Sequence, residues 1–212
     1  MDGNGRWAAR RGRPRWMGHV RGAHTVREVV AHCARLGVAQ LTLYAFSSDN
    51  FKRPREEVGF LFDLFASHID RQLASLVEHG IKLSIIGRRD RLPRALREAI
   101  ADAERRTASG RRMHLRVAVD YSSRIAMMGA LALGTERGAP EAATILPPVD
   151  LLIRTGGERR LSDFLLWECA YAELRFVDDL FPDFTAQHLD DAFADFASRE
   201  RRFGDVPAPE TV

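Results

Sequence analysis

Asp2-Gly3-Asn4-Gly5-Arg6-Trp7 sets a carboxylate, two glycines and a guanidinium in one short segment. The glycines let backbone N–H groups approach an anion closely, a helix starting there adds its positive end, and Arg6 offers a fork to phosphate oxygens. Asp2 cannot bind phosphate itself, because like charges repel; its chemistry would be to hold a divalent cation that bridges to the phosphate. Arg10, Arg11, Arg13, Arg15, His19 and Arg21 follow. Such a run is either a solvated face, a nucleic-acid patch or a set of cations converging on one diphosphate. Only Trp7 and Trp16 are interleaved, so base stacking is poorly supported and nucleic acid is not the expected partner.

Two further clusters share this character. Ser47-Ser48-Asp49-Asn50-Phe51-Lys52-Arg53-Pro54 gathers hydroxyls, an amide and Arg53, which suits a polar pocket, while Pro54 and Glu56-Glu57 equally suit a helix start. Arg154-Thr155-Gly156-Gly157-Glu158-Arg159-Arg160-Leu161-Ser162 again combines glycines, arginines and a hydroxyl spaced to wrap an anion, or to make a tight turn with solvated charges. Glu173, between apolar neighbours in Ala170–Leu174, needs a partner if buried; an arginine or a second Mg²⁺ contact would serve. Two anion sites, two carboxylates able to share a metal and an apolar helix nearby suit a substrate with a diphosphate head and a greasy tail.

The elements that must position these groups alternate. Strand-like runs are Ala39–Phe46, Ile81–Gly87, His114–Asp120, Asp150–Arg154 and Leu174–Val177. Helical spacing marks Thr25–Leu36, Glu56–His79, Arg94–Thr107 and Gln187–Arg201. Glu56–His79 is apolar on more than one face, as either a core helix or a tunnel wall would be. The alternation predicts a single α/β domain over 1–204, with a central, mainly parallel sheet flanked by helices. Ligands of such sheets sit at the carboxyl ends of strands, where Ser47–Pro54 and Arg154–Ser162 fall. Gly134–Pro148 reads as a loop and 205–212 as a disordered tail.

The 212 residues allow a substantial core. No apolar run approaches the length of a membrane span, and the first residues contain no apolar stretch of the signal-peptide kind. Cys33 and Cys169 lie in apolar stretches and read as packed, reduced thiols of a cytoplasmic protein. The net charge of +3, carried by a basic set that is all Arg except Lys52 and Lys82, fits anionic partners in general.

MDGNGRWA, Gly18-His19, Gly22, LTLYAFSSDNFKRP, IIGRRDRLP, DLLIRTGGERRLSDFLLWECAYAEL and RERRFG, in this order over about residues 1–204, resemble the motif series of bacterial undecaprenyl diphosphate synthases. The resemblance implies a Mg²⁺-dependent, homodimeric cis-prenyltransferase with an apolar tunnel for the growing chain. It would join isopentenyl diphosphate to an allylic diphosphate such as farnesyl diphosphate. The product would be a C55-type cell-wall carrier lipid, released through transient contact with a membrane surface. By the same resemblance Asp2 binds Mg²⁺, and Gly3, Asn4, Gly5, Arg6, Arg15 and His19 hold the allylic diphosphate, with Trp7 beside them. Ser47, Ser48 and Asp49 line the junction between substrates, Asn50 assists proton removal, and Phe51 and Arg53 contact substrate. Arg154, Arg160, Leu161 and Ser162 hold isopentenyl diphosphate, and Glu173 joins its Mg²⁺. Arg202 and Gly204 belong to an Arg-x-Gly element reaching across the dimer.

The chain departs from the family pattern in four places. The family has a strand ahead of the Asp2 motif, whereas Met1 directly precedes Asp2 here. Phe51 and Phe181 stand where Trp is usual, and the stretch from about 124 to 148 is short. The rival readings are a shorter-chain or specialised condensing enzyme, a non-catalytic partner subunit and an Arg-rich nucleic-acid-binding protein.

Overall fold

The computed structural model describes residues 1–132 and 146–200. Five parallel strands form two hydrogen-bonded parts. In the first, β3 (Met113–Tyr121) lies between β1 (Gln40–Ser47) and β2 (Ile81–Ile86); in the second, β4 (Leu151–Arg154) pairs with β5 (Glu173–Phe176). Each strand lies within one residue of its expected bounds, because β-branched runs flanked by polar turns are a strong local signal.

Helices cover both faces. Alternation along β2 and β3 sends Leu83, Ile85, Val117 and Val119 into a large core with α2 (Arg15–Arg35), α3 (Arg55–Glu78), α4 (Arg94–Thr107) and the start of α6 (Ala186–Ala197). Ile86, Ala118 and Tyr121 point the other way, toward Leu152, Leu165, Cys169 and Ala126 of α5 (Ser123–Ala132). Two helices were not expected: α1 (Asn4–Ala9) and α5. The second helix begins ten residues before the expected Thr25, at Arg15 directly after Pro14. Its early part contains Gly18 and Gly22, which lower helix propensity but are needed for packing, as shown below. No helix among the described residues is long and apolar enough to cross a membrane.

Between β1 and β4 runs a cleft of about 1220 Å³, walled by both strands, by Val29 and Cys33 of α2, and by Leu189 and Phe193 of α6. Neither edge facing it has a strand partner among the described residues. A second, apolar chamber of about 330 Å³ lies between α2, α3 and the sheet.

Candidate active site

Asp2 sits at the carboxyl end of β4. Its backbone N–H donates to Thr155 Oγ1 at 2.9 Å, and its carbonyl accepts from Thr155 Oγ1 at 3.1 Å and from the Phe181 N–H at 2.9 Å. These bonds fix the peptide, and Gly3 then turns the chain at φ 101° into α1, a conformation costly for a residue with a side chain. Helix α1 packs on α2 because Gly18 and Gly22, one turn apart, leave space for Asn4. A β-carbon on Gly18 would overlap the Asn4 carbonyl, and one on Gly22 the Asn4 side chain. The Asn4 Oδ1 atom is buried without a hydrogen-bond partner, as is His19 Nε2. Two orphaned polar atoms among the residues lining one cleft are what a polar ligand would satisfy.

The Asp2 carboxylate accepts from Arg154 at 2.9 Å and lies 3.4 Å from Arg6. Burial pushes its pKa up, but the Arg154 hydrogen bond and the charges of Arg154 and Arg6 pull harder, and the group ends below the usual carboxylate value. It is therefore ionised at neutral pH, while remaining about a third exposed. Arg154 also reaches Ser162 Oγ at 2.9 Å and the Arg160 carbonyl. Ser162 and Asp163 adopt left-handed backbone (φ 53° and 62°), held by bonds from Tyr44 and from the Ser123 N–H to their carbonyls. Local strain fixed in this way keeps the Ser162 hydroxyl on Arg154. Arg160 folds back on Glu158 at 2.6 Å, and Glu158 also meets Arg6 at 3.4 Å.

Glu57 gathers a second set of cations. Arg53 bonds it at 3.1 Å, and Arg15 and His19 each lie 3.8 Å away. Burial, then the charges of Arg53 and Arg15 against the opposing pull of Glu57, lower His19 to about 4, so it is neutral near pH 7. In the Ser47–Arg53 turn the Asn50 Oδ1 atom accepts the Ser47 N–H at 3.1 Å, Ser47 Oγ accepts the Asp49 N–H at 3.2 Å, and Asp49 bonds Lys52 at 2.7 Å.

One cleft thus brings together Asp2, Gly3, Asn4, Gly5, Arg6, Arg15, His19, Ser47, Asp49, Asn50, Arg53, Arg154, Arg160, Leu161 and Ser162. Four of the expected residues stand outside its lining. Trp7 is buried and donates to Asp183 at 2.7 Å. Ser48 turns toward Asp120. Phe51 packs against Phe46 and Phe62. Glu173 pairs in register with Leu151, whereas Arg154 pairs with Phe176, so Glu173 lies three residues, or about 10 Å, down the sheet from Arg154. There it accepts from Arg199 at 3.1 Å. The structure does not set the two carboxylates Asp2 and Glu173 at one point. Arg202 and Gly204 lie outside the described residues.

Sequence reasoning missed Glu57, read only as a helix-start residue, together with Thr155, Arg91 and Asp120. Their roles depend on contacts between distant segments, and only the clustering of charge around Glu57 offered a signal. The cleft adjoins the apolar chamber: Asn4, His19, Leu43, Phe46, Leu61 and Phe181 line both. Within the chamber Val26, Val30, Leu64, Phe65, Ile69 and Leu83 present apolar surface. Helix α3 serves the core through Val58 and Leu73, while its Leu64 and Phe65 line the chamber.

A family model described as "Putative undecaprenyl diphosphate synthase" matches residues 1–204. Isoprenyl transferase 1 of Bradyrhizobium diazoefficiens is 49% identical over 223 residues, covering 100% of this chain and 91% of that protein. The ditrans,polycis-undecaprenyl-diphosphate synthase ((2E,6E)-farnesyl-diphosphate specific) of Xanthomonas campestris pv. campestris is 46% identical, covering 96% and 85%. Among solved structures, lavandulyl diphosphate synthase from Lavandula x intermedia, in complex with dimethylallyl diphosphate, superposes with a TM-score of 0.88 at 34% identity, covering 97% of this chain and 95% of that one. A probable undecaprenyl diphosphate synthase from Campylobacter jejuni gives 0.78 at 31%, covering 88% and 93%.

Proposed function

The chain belongs to the undecaprenyl diphosphate synthase family of prenyltransferases, and from that premise we propose that it condenses isopentenyl diphosphate with an allylic diphosphate, farnesyl diphosphate first among them, into a Z-polyprenyl diphosphate of the undecaprenyl type. One observation carries the reading: two cation sets, around Asp2–Arg154 and around Glu57, meet at a polar mouth that adjoins an apolar chamber. A diphosphate head and a hydrocarbon tail fit that sequence of surfaces.

Asn4, Gly5, Arg6, Arg15 and His19 would hold the allylic diphosphate. Arg154, Arg160 and Ser162 would hold the isopentenyl diphosphate, with Leu161 against its short chain. Holding both in one orientation turns a bimolecular step into a local one. The allylic C–O bond breaks with its electron pair leaving on diphosphate, the isopentenyl double bond supplies the pair for the new C–C bond, and a proton passes from that unit to the released diphosphate. The arginines stabilise the departing charge. Asn50 would assist the proton through the second lone pair of its carbonyl oxygen, the first being held by the Ser47 N–H.

Mg²⁺ would supply further neutralisation of the departing diphosphate. The residues present fit it: Asp2 is ionised, partly exposed and beside the diphosphate cations, and Mg²⁺ is commonly held by one or two carboxylates plus substrate phosphates. No group of three or more metal-ligating side chains occurs among the described residues, so substrate oxygens and water must complete the shell. Glu173, three residues along the strands from the level of Arg154, is engaged by Arg199 and would have to release it to join a Mg²⁺ site.

Met128, Leu131, Trp167 and Tyr171 are all more than half exposed, and Ile125 and Leu174 are exposed beside them in sequence. Apolar exposure of this kind supports a homodimer, to which Arg202 and Gly204 would contribute. Cytoplasmic location, with product leaving at a membrane surface, suits this chemistry. The small chamber and the likeness to lavandulyl diphosphate synthase favour one second reading, a shorter product. An assay with farnesyl diphosphate, radiolabelled isopentenyl diphosphate and Mg²⁺, with products sized by chromatography, decides between them. No incorporation by folded protein with any allylic starter would overturn both.

A further inference from the structure

At the carboxyl end of β3, Asp120 is 1% exposed and holds a left-handed backbone, φ 50°. A buried carboxylate needs compensation. Arg91, from the turn between β2 and α4, supplies it through a two-pronged contact: Nε donates to Oδ2 at 2.8 Å and a terminal N–H donates to Oδ1. The turn itself is braced on the same strand end, since the Arg88 N–H donates to the Asp120 carbonyl at 3.1 Å and a β-carbon on Gly87 would overlap the Val119 carbonyl.

This pair grips the Ser47–Arg53 turn at two points. Ser48 Oγ donates to Asp120 Oδ1 at 2.8 Å, and the Arg91 guanidinium lies 4.1 Å from the centre of the Phe51 ring. Ser48 and Phe51 flank Asp49 and Asn50. They are also two of the expected site residues that turn away from the cleft, and their partners explain why. We infer that Asp120 and Arg91 are positioning residues that hold the Ser47–Arg53 turn, and with it Asn50, in register at the mouth where the two substrates meet. The catalytic consequence rests on the prenyl-transfer reading; the mechanical one does not.

Three variants separate this role from plain stabilisation. Asp120→Asn keeps the shape and an acceptor for Ser48 but removes the charge that orients Arg91. Arg91→Lys keeps the charge and loses both the planar fork and its fit over Phe51. The double variant Asp120→Leu/Arg91→Met replaces a buried ion pair by apolar packing, a change that often preserves or raises stability. We expect each to lower kcat by about tenfold or more, since small misplacements at a reacting centre are costly. KM for the allylic diphosphate stays within about threefold, because that substrate is held by other residues. In all three, amide hydrogen exchange of residues 47–53 quickens by about tenfold or more, a local loosening visible without turnover.

Recovery of full kcat in the double variant would show the pair to be structural only and overturn the inference. So would unchanged exchange in the 47–53 segment. If the unaltered protein shows no prenyl transfer, the function falls, and the exchange measurement still decides whether the pair holds the turn.

Discussion

The polar mouth and the apolar chamber adjoin, yet they are held by opposite means. In the mouth the charged side chains are fixed by one another: Asp2 by Arg154 and Arg6, Arg53 by Glu57, Arg160 by Glu158. Removing one partner there leaves another charge uncompensated. In the chamber Val30, Phe65, Ile69 and Leu83 are fixed by volume alone, and a substitution changes space rather than charge. On the proposed reaction the difference implies a division of labour: the mouth would govern how fast bonds change, and the chamber how long a chain fits.

The largest expected effect tests the mouth. Asp2→Ala removes the proposed metal contact and frees Arg154. We expect kcat to fall by about 10²–10³-fold, the scale found when one group stabilising transition-state charge is lost. Product lengths among the residual turnovers should not change. A shifted length distribution would break the comparison, because it would tie chain length to the mouth. Next comes Arg154→Lys, which keeps the charge but loses the contacts shared among Asp2, Ser162 and the Arg160 carbonyl. A rise of about tenfold in KM for isopentenyl diphosphate is expected, with a smaller change for the allylic substrate. Equal changes in both would show that Arg154 does not serve the isopentenyl diphosphate alone.

The converse test enters the chamber. Val30, buried on α2, lines it. Val30→Phe takes up space at a cost to stability of about 1–3 kcal/mol, visible in thermal unfolding. We expect shorter products, with the rate of the first condensation within about threefold of the unaltered protein. Unchanged product lengths would show that the growing chain takes another route.

The same division explains what could be read in advance. Strands β1 to β5 were legible because their apolar runs are local signals, and the cleft residues of Ser47–Pro54 and Arg154–Ser162 because they fall at strand ends. Three things were not legible, each for a reason of distance. The early turns of α2 look broken by Gly18 and Gly22 until Asn4 is seen filling the notch they leave. Glu57 looks like a helix-start residue until Arg15, His19 and Arg53 converge on it. Glu173 follows Ser162 closely in sequence, but parallel pairing of β5 with β4 carries it to the other end of the strands. Sequence spacing reports neighbours along one element well, and says little of which ends of two elements meet.

The smallest effect concerns the boundary between the two regions, where His19 lines both. Its folded-state pKa of about 4 lies below the ordinary 6.5, chiefly because it is buried. Between those values the unfolded chain binds a proton that the folded chain refuses, so stability present above pH 6.5 is lost as pH falls toward 4. His114, also near 4, acts in the same direction and from outside the cleft. His19→Gln should therefore flatten, without abolishing, the acid-side slope, by up to about 1.4 kcal/mol per pH unit. A diphosphate in the mouth adds negative charge beside His19 and raises its pKa, so His19 should contribute proton uptake when inorganic diphosphate binds near pH 5.5, opposite in sign to the protons the diphosphate itself gives up. Calorimetry in buffers of different ionisation enthalpy measures that uptake. A reduced uptake in His19→Gln would place the imidazole among the groups that feel the diphosphate, on the mouth's side of the boundary; uptake unchanged by the substitution would assign it to the chamber, as packing.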